Sequence, residues 1–179
     1  MPTNEEILSA ASAARFGHTG FLVPADLAFL PEVREMCASG RCGKYQHCWT
    51  CPPGCGTLEE MKARATAYAK GVLVQTTGTL EDDFDVDAML GTERIHKERF
   101  LHFTQWFRDQ TLQCMPMSAG ACTICQQCTY PDAPCRFPDR AIPSMEACGL
   151  MVSDVCVQAG LAYYYGPRTV TYSSCILFD

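Results

Sequence analysis

Gly120-Ala121-Cys122-Thr123-Ile124-Cys125-Gln126-Gln127-Cys128, running on through Pro131 and Pro134 to Cys135, is the stretch on which the reading of this chain turns. It shows neither the 3.6-residue period of an amphipathic helix nor the alternation of a half-buried strand. Gln126, Gln127 and Asp132 make it too polar for four buried structural cysteines. From Gly120 to Asp139 it reads as a loop held by something other than a hydrophobic core. A second aperiodic stretch, from Gly40 to Gly56, carries Cys42, Cys48, Cys51 and Cys55, with Cys37 just ahead of it. The expected fold is α+β: a small mixed β-sheet with packed helices and two cysteine-rich metal-binding loops.

Working outward, the rest patterns as ordinary secondary structure in one domain, residues 1–179. Thr3 with Glu6, and Thr57 with Glu60, are capping boxes. The first opens a helix to about Phe16, and the second opens one to about Lys70. Phe21-Leu22-Val23 reads as a short strand, and Pro31 suits the first turn of a helix that delivers Cys37. Gly71 to Thr77 reads as a buried strand. A long helix is expected from Asp87 to Gln110, because Phe100, Phe103 and Phe107 share one face and Glu93 precedes Lys97 by four residues. Leu112 to Met117 reads as a strand, Ser144 to Ala147 and Ser153 to Ala159 as short helices, and Thr169 to Leu177 as the closing strand.

Composition narrows the class of protein. Of 179 residues, 13 are cysteine. That is roughly 7%, below the roughly 8–10% of a secreted disulfide scaffold. The start, Met1-Pro2-Thr3-Asn4-Glu5-Glu6, has no basic and apolar signal pattern, and no apolar run is long enough to span a bilayer. The expected setting is cytoplasmic, where clustered thiols stay reduced and serve as metal or redox groups. A net charge of -6 argues against nucleic-acid binding, which needs clustered Lys and Arg. No GxGxxG, P-loop, GxSxG or HExxH motif is present.

The two loops carry the chemistry. Cys122-x2-Cys125-x2-Cys128 can place three thiolates around one cubane cluster, and Cys135 can add a fourth a little later, much as in the bacterial ferredoxin run. Structural zinc more often uses two separated pairs. A [4Fe-4S] cluster is therefore preferred here, with zinc as the alternative. The first loop offers five thiols, Cys37, Cys42, Cys48, Cys51 and Cys55, for a second cluster of the same kind. Pro52, after Cys51, removes a competing N–H and stiffens the turn. Cys114, Cys156 and Cys175 sit among apolar residues and read as small hydrophobes. Cys148 stands between core residue and spare ligand. His47 reads as a solvated loop residue, His96 and His102 as packing or surface groups. Arg41, Lys44 and Arg136 flank the loops, where a cation favours thiolate. Asp82, Asp83, Asp85 and Asp87 read as a solvated acidic connection.

These pieces carry a resemblance. Cys37, Cys42 and Tyr45 leading to Trp49-Thr50-Cys51-Pro52-Pro53, then Gly120 to Cys128, then Pro134-Cys135-Arg136-Phe137-Pro138 and Pro143-Ser144-Met145-Glu146-Ala147 resemble the family of predicted metal-binding proteins catalogued as domain of unknown function 2284. The resemblance runs from about Val33 to the C-terminus. It implies metal binding, iron–sulfur in kind, in largely anaerobic organisms, and it implies no reaction. It also implies that Cys37, Cys42 and Cys51 are the first loop's ligands, with Cys48 and Cys55 as additions. The fourth ligand of that site can then be Cys48, Cys55, a non-thiol group, or none. Three functions stay open. The first is electron transfer to a redox partner protein. The second is an enzyme using an open-iron cluster at Cys37, Cys42 and Cys51 for sulfur removal, dehydration or reductive activation. The third is a zinc-stapled binding module.

Overall fold

Thr3 Oγ1 accepts the Glu6 N–H at 3.2 Å while Glu6 Oε2 accepts the Thr3 N–H at 2.8 Å, closing the first turn of α1 (Asn4–Ala13). Thr57 and Glu60 do the same for α3 (Leu58–Thr66). Each box satisfies donors that a helix start otherwise leaves unpaired. The architecture is that of a computed structural model, which describes residues 2–110 and 113–179. Helix α2 (Pro31–Ala38) starts on proline as the sequence predicts. Helix α4 (Val86–Asp109) is capped by Asp85, whose carboxylate accepts the Ala88 N–H at 3.0 Å. That gives one residue of the acidic connection a structural task. Helix α5 is Val152–Gln158.

Four strands make one sheet in the order β1-β2-β4-β3: β1 (His18–Leu22), β2 (Lys70–Thr79), β4 (Thr169–Phe178) and β3 (Cys114–Met117). The α+β class holds, and every pairing in the sheet is antiparallel. Strand alternation divides the core. Val72, Val74, Ile176 and Phe178 face Ile7 and Ala11 of α1 and Phe100, Phe103 and Phe107 of α4. Leu73, Cys175 and Leu177 face Met61 and Ala65 of α3 and Val155 and Cys156 of α5. Burying each of those phenylalanines contributes about 1.5–3 kcal/mol.

Several boundaries move, and α1 ends at Ala13 rather than near Phe16. Helix α3 stops at Thr66, because Lys70 is already paired with Phe178 in the sheet. Strand β1 begins at His18, ahead of the apolar Phe21. Ser144 to Ala147 is a turn rather than a helix: Ser144 bridges to Ser118, and its hydroxyl takes the Ala147 N–H at 3.1 Å. Such local side-chain bonding competes with helix formation. Leu112 lies outside the described residues, and the strand expected there is observed from Cys114. Among the described residues no helix is long and apolar enough to cross a membrane.

The fold matters for the site because of where the loops leave it. The first loop joins α2 to α3. The second leaves β3, an edge strand of the sheet.

Candidate metal centre

Arg34 and Cys37 lie three residues apart on α2 and so share a helix face. The Arg34 guanidinium donates to the Ala147 carbonyl, to the Gly56 carbonyl at 2.6 Å and to Cys55 Sγ at 3.7 Å. Cys37 Sγ meets the Glu146 carbonyl at 3.9 Å. One side chain thereby stitches α2, the end of the first loop and the 144–149 turn together. Within the first loop, successive turns are closed by Cys51 N–H to the Cys48 carbonyl and Cys55 N–H to the Cys51 carbonyl, both at 3.1 Å. Gly54 permits this folding, since a Cβ there would stand 2.7 Å from the Cys48 carbonyl oxygen. Cys48 and Cys51 are buried, whereas Arg41, Lys44 and His47 around them are exposed.

The second loop is tied to α4. Lys97 Nζ donates to the Ala121 carbonyl at 2.6 Å while paired with Glu93 at 2.5 Å. Gly120 takes φ +62°, which a side chain rarely adopts. Arg136 donates to the Gln127 carbonyl at 2.9 Å, closing the loop on itself. The loops also meet each other. Trp49 Nε1 donates to the Ala133 carbonyl at 3.0 Å, and the Trp49 ring stands edge-on to Tyr130 at 4.9 Å.

The grouping of thiols follows from this docking. Cys48, from the first loop, lines one pocket with Cys122, Cys125, Cys128 and Cys135 of the second. A hydrogen bond from the Cys51 thiol, with lesser ones involving Thr50 and Cys128, holds Cys48 down at about 5 against the opposing effect of burial. The Cys51 thiol is correspondingly pushed up, so the pair keeps one proton between them. Burial pushes up the thiols of Cys37, Cys55 and Cys122; at Cys37 the neighbouring Glu146 and Cys42 add to it. Among the described residues no three His, Cys, Asp or Glu side chains converge as a single-ion site would require. The thiols are arrayed around the pocket and along the turns instead.

This donor set fits a thiophilic metal. It is rich in soft sulfur and carried on turns without a core of their own, and it includes one low-lying thiolate. Glu146 adds a buried carboxylate oxygen, Oε2, that has no hydrogen-bond partner among the described residues. The remaining cysteines are packing groups or stand apart. Cys148, Cys156 and Cys175 are fully buried, with Cys148 against Met61 Sδ at 3.8 Å, while Cys114 is half-buried on β3. His96 is buried between α4 and the sheet, bonded to Thr76 Oγ1 at 3.0 Å and Ser174 Oγ at 2.7 Å. Burial holds its pKa down to about 3. Sequence reasoning overlooked Arg34 and Glu146. The signal for Arg34 was its helical spacing from Cys37; Glu146 stood within the Pro143–Ala147 piece of the family resemblance, without a role assigned to it.

A family model described as "Predicted metal-binding protein (DUF2284)" matches residues 21–178. No curated protein and no solved structure matches the chain.

Proposed function

Because the chain belongs to that family of predicted metal-binding proteins, we propose that it is a cytoplasmic iron–sulfur protein with two [4Fe-4S] clusters that exchanges electrons with a partner enzyme. The observation that carries the reading is the placement of Cys48 in the pocket lined by Cys122, Cys125, Cys128 and Cys135. Cys122, Cys125 and Cys128 supply three thiolates to that site. Cys48, lining the same pocket, supplies the fourth, with Cys135 beside it. A ligand exchanged between two cysteine runs is the arrangement of two-cluster ferredoxins. Cys37, Cys42 and Cys51 then remain for the first site. Cys55 is engaged by Arg34 and the Ala147 carbonyl.

Clusters bound at these two sites would supply one-electron chemistry. The chain's own contribution is to hold the sites close together, since Cys48 and Cys51, assigned to different sites, share one turn closed by the Cys51 N–H to Cys48 carbonyl bond at 3.1 Å. It also supplies cations: Arg34 touches Cys55, and Lys44 and Arg136 line the Cys48 pocket. These offset the charge of the thiolates. The excess of acidic residues over the whole chain, a net -6, would steer a basic partner surface into place.

The test is protein purified without oxygen and assayed for iron, sulfide and zinc, with its visible spectrum and the electron paramagnetic resonance of the reduced form. Two cubane clusters predict about eight iron and eight sulfide per chain, a brown sample and a signal on reduction. Stoichiometric zinc in a colourless sample would overturn the proposal in favour of a zinc-stapled module.

A further inference from the structure

Glu146 sits in a turn held by a dense set of backbone hydrogen bonds. Its carbonyl accepts the Gly149 N–H at 2.9 Å, Leu150 N–H bonds to the Met145 carbonyl at 2.9 Å, and Met145 N–H bonds to the Ser118 carbonyl at 3.1 Å. Gly149, at φ +92°, closes the turn, and its carbonyl receives Leu30 N–H at 2.8 Å. The side chain therefore leaves from a fixed point on the floor of the first site. On either side of it, the Glu146 carbonyl meets Cys37 Sγ at 3.9 Å and the Ala147 carbonyl meets Cys55 Sγ at 3.6 Å.

In that setting Oε2 is buried and has no partner among the described residues. A buried carboxylate oxygen without a donor or a cation is strongly unfavourable, and one found in a folded protein calls for a missing partner. Arg34 is the nearby cation the chain itself offers. Its guanidinium is spent on Ala147, Gly56 and Cys55. It forms no ion pair with Glu146: among the described residues the ion pair is Lys97 with Glu93. A glutamine at this position would bring its own donor. The orphaned oxygen points to a partner that the described residues do not supply.

We infer that the Glu146 carboxylate is an oxygen ligand of the metal at the first site, completing a set with the thiolates of Cys37, Cys42 and Cys51. This rests on the iron–sulfur reading above: a cluster spreads its ligands over several iron atoms, whereas among the described residues no three such side chains converge on a single ion. It gives the first site a harder, more exchangeable donor than the all-thiolate pocket around Cys48. That donor can yield a coordination position to an incoming ligand, so the two sites are chemically unequal.

The experiment compares wild type, Glu146→Gln and Glu146→Asp, each purified without oxygen, by metal content per chain and by the rate of metal loss to excess chelator. Wild type should lose metal in two phases, and Glu146→Gln should abolish the faster phase's metal or speed its release at least tenfold. Glu146→Asp, which keeps the carboxylate on a shorter arm, should retain more metal than Glu146→Gln. Far-UV circular dichroism and the melt of the metal-free forms separate a folding defect from a ligand defect. Should Glu146→Gln fail to fold, the oxygen scatterer at about 2.0–2.2 Å in wild-type X-ray absorption must still be present and weaken in Glu146→Asp. A Glu146→Gln protein with wild-type metal content and release rate would overturn this inference alone. Wild type without stoichiometric metal would overturn the metal reading beneath it.

Discussion

Replacing Arg34 with methionine tests whether the first cysteine loop is held by one guanidinium. Methionine keeps the apolar stem that packs on α2 and removes every donor. Two backbone acceptors lose their partner, the Ala147 carbonyl and the Gly56 carbonyl at 2.6 Å, together with the longer contact to Cys55 Sγ at 3.7 Å. A hydrogen bond to a charged group contributes about 1.5–3 kcal/mol. Arg34 is only half-buried, so water can replace part of each bond and the lower end applies, about 3 kcal/mol for the two carbonyls. For a chain of this size each kcal/mol moves the melting temperature by roughly 2–4 °C, which predicts a fall of about 6–12 °C. The assay is differential scanning calorimetry of metal-loaded protein at one fixed metal and protein concentration. Arg34→Lys should recover less than half of the loss, because an ammonium is a point charge and cannot span two carbonyls as a planar fork does. A Tm within 2 °C of wild type, or full recovery by lysine, would refute the idea that this fork stitches the three segments.

Other outcomes follow from the same geometry. Cys48→Ala should remove the metal of the pocket it shares with Cys122, Cys125 and Cys128, whereas Cys175→Ala, a core change, should leave the metal count unaltered; elemental analysis decides, and equal counts in the two variants would contradict the grouping. Gly54→Ala should lower metal retention, because its Cβ would meet the Cys48 carbonyl oxygen at 2.7 Å and push the loop apart; a chelation time course identical to wild type would argue against that close approach. His96 stays neutral in the folded state down to about 3, while the unfolded chain binds a proton near 6.5, so stability is lost as pH falls below about 6.5. The cost should reach about 2 kcal/mol at pH 5 relative to pH 7.5, read as a shift in urea midpoint, and His96→Gln should flatten that part of the profile. Stripping the metal should lower the melting point and loosen both loops, since structural metal sites can hold on the order of 10–16 kcal/mol of apparent binding free energy; an unchanged melt after chelation would count against a structural role.

Much of the body was legible from the chain because its signals are local. Thr3 with Glu6 and Thr57 with Glu60 announce helix starts through bonds closed within one turn, and Phe100, Phe103 and Phe107 mark the buried face of α4 by period alone. The turn at Ser144 was misread as a helix because its competing partner, Ser118, lies far away in sequence. A capping or turn residue states its purpose only when its acceptor is known.

For the site, the sequence by itself settled which atoms are available. Nine of the thirteen cysteines, five in or just ahead of the first aperiodic loop and four in the second, can be read as ligand sets because metal chemistry is specified by residue type and short spacing. Only the tertiary structure decided which of those thiols line a common pocket. Cys48 is nearest in sequence to Cys51 but lines a pocket with Cys122, Cys125, Cys128 and Cys135, because Trp49 reaches Ala133 and Tyr130 and swings the loop across. Arg34 and Glu146 enter the site through contacts spanning more than a hundred residues. Such contacts arise when an edge strand and a helix end are brought side by side, and no local pattern encodes that meeting.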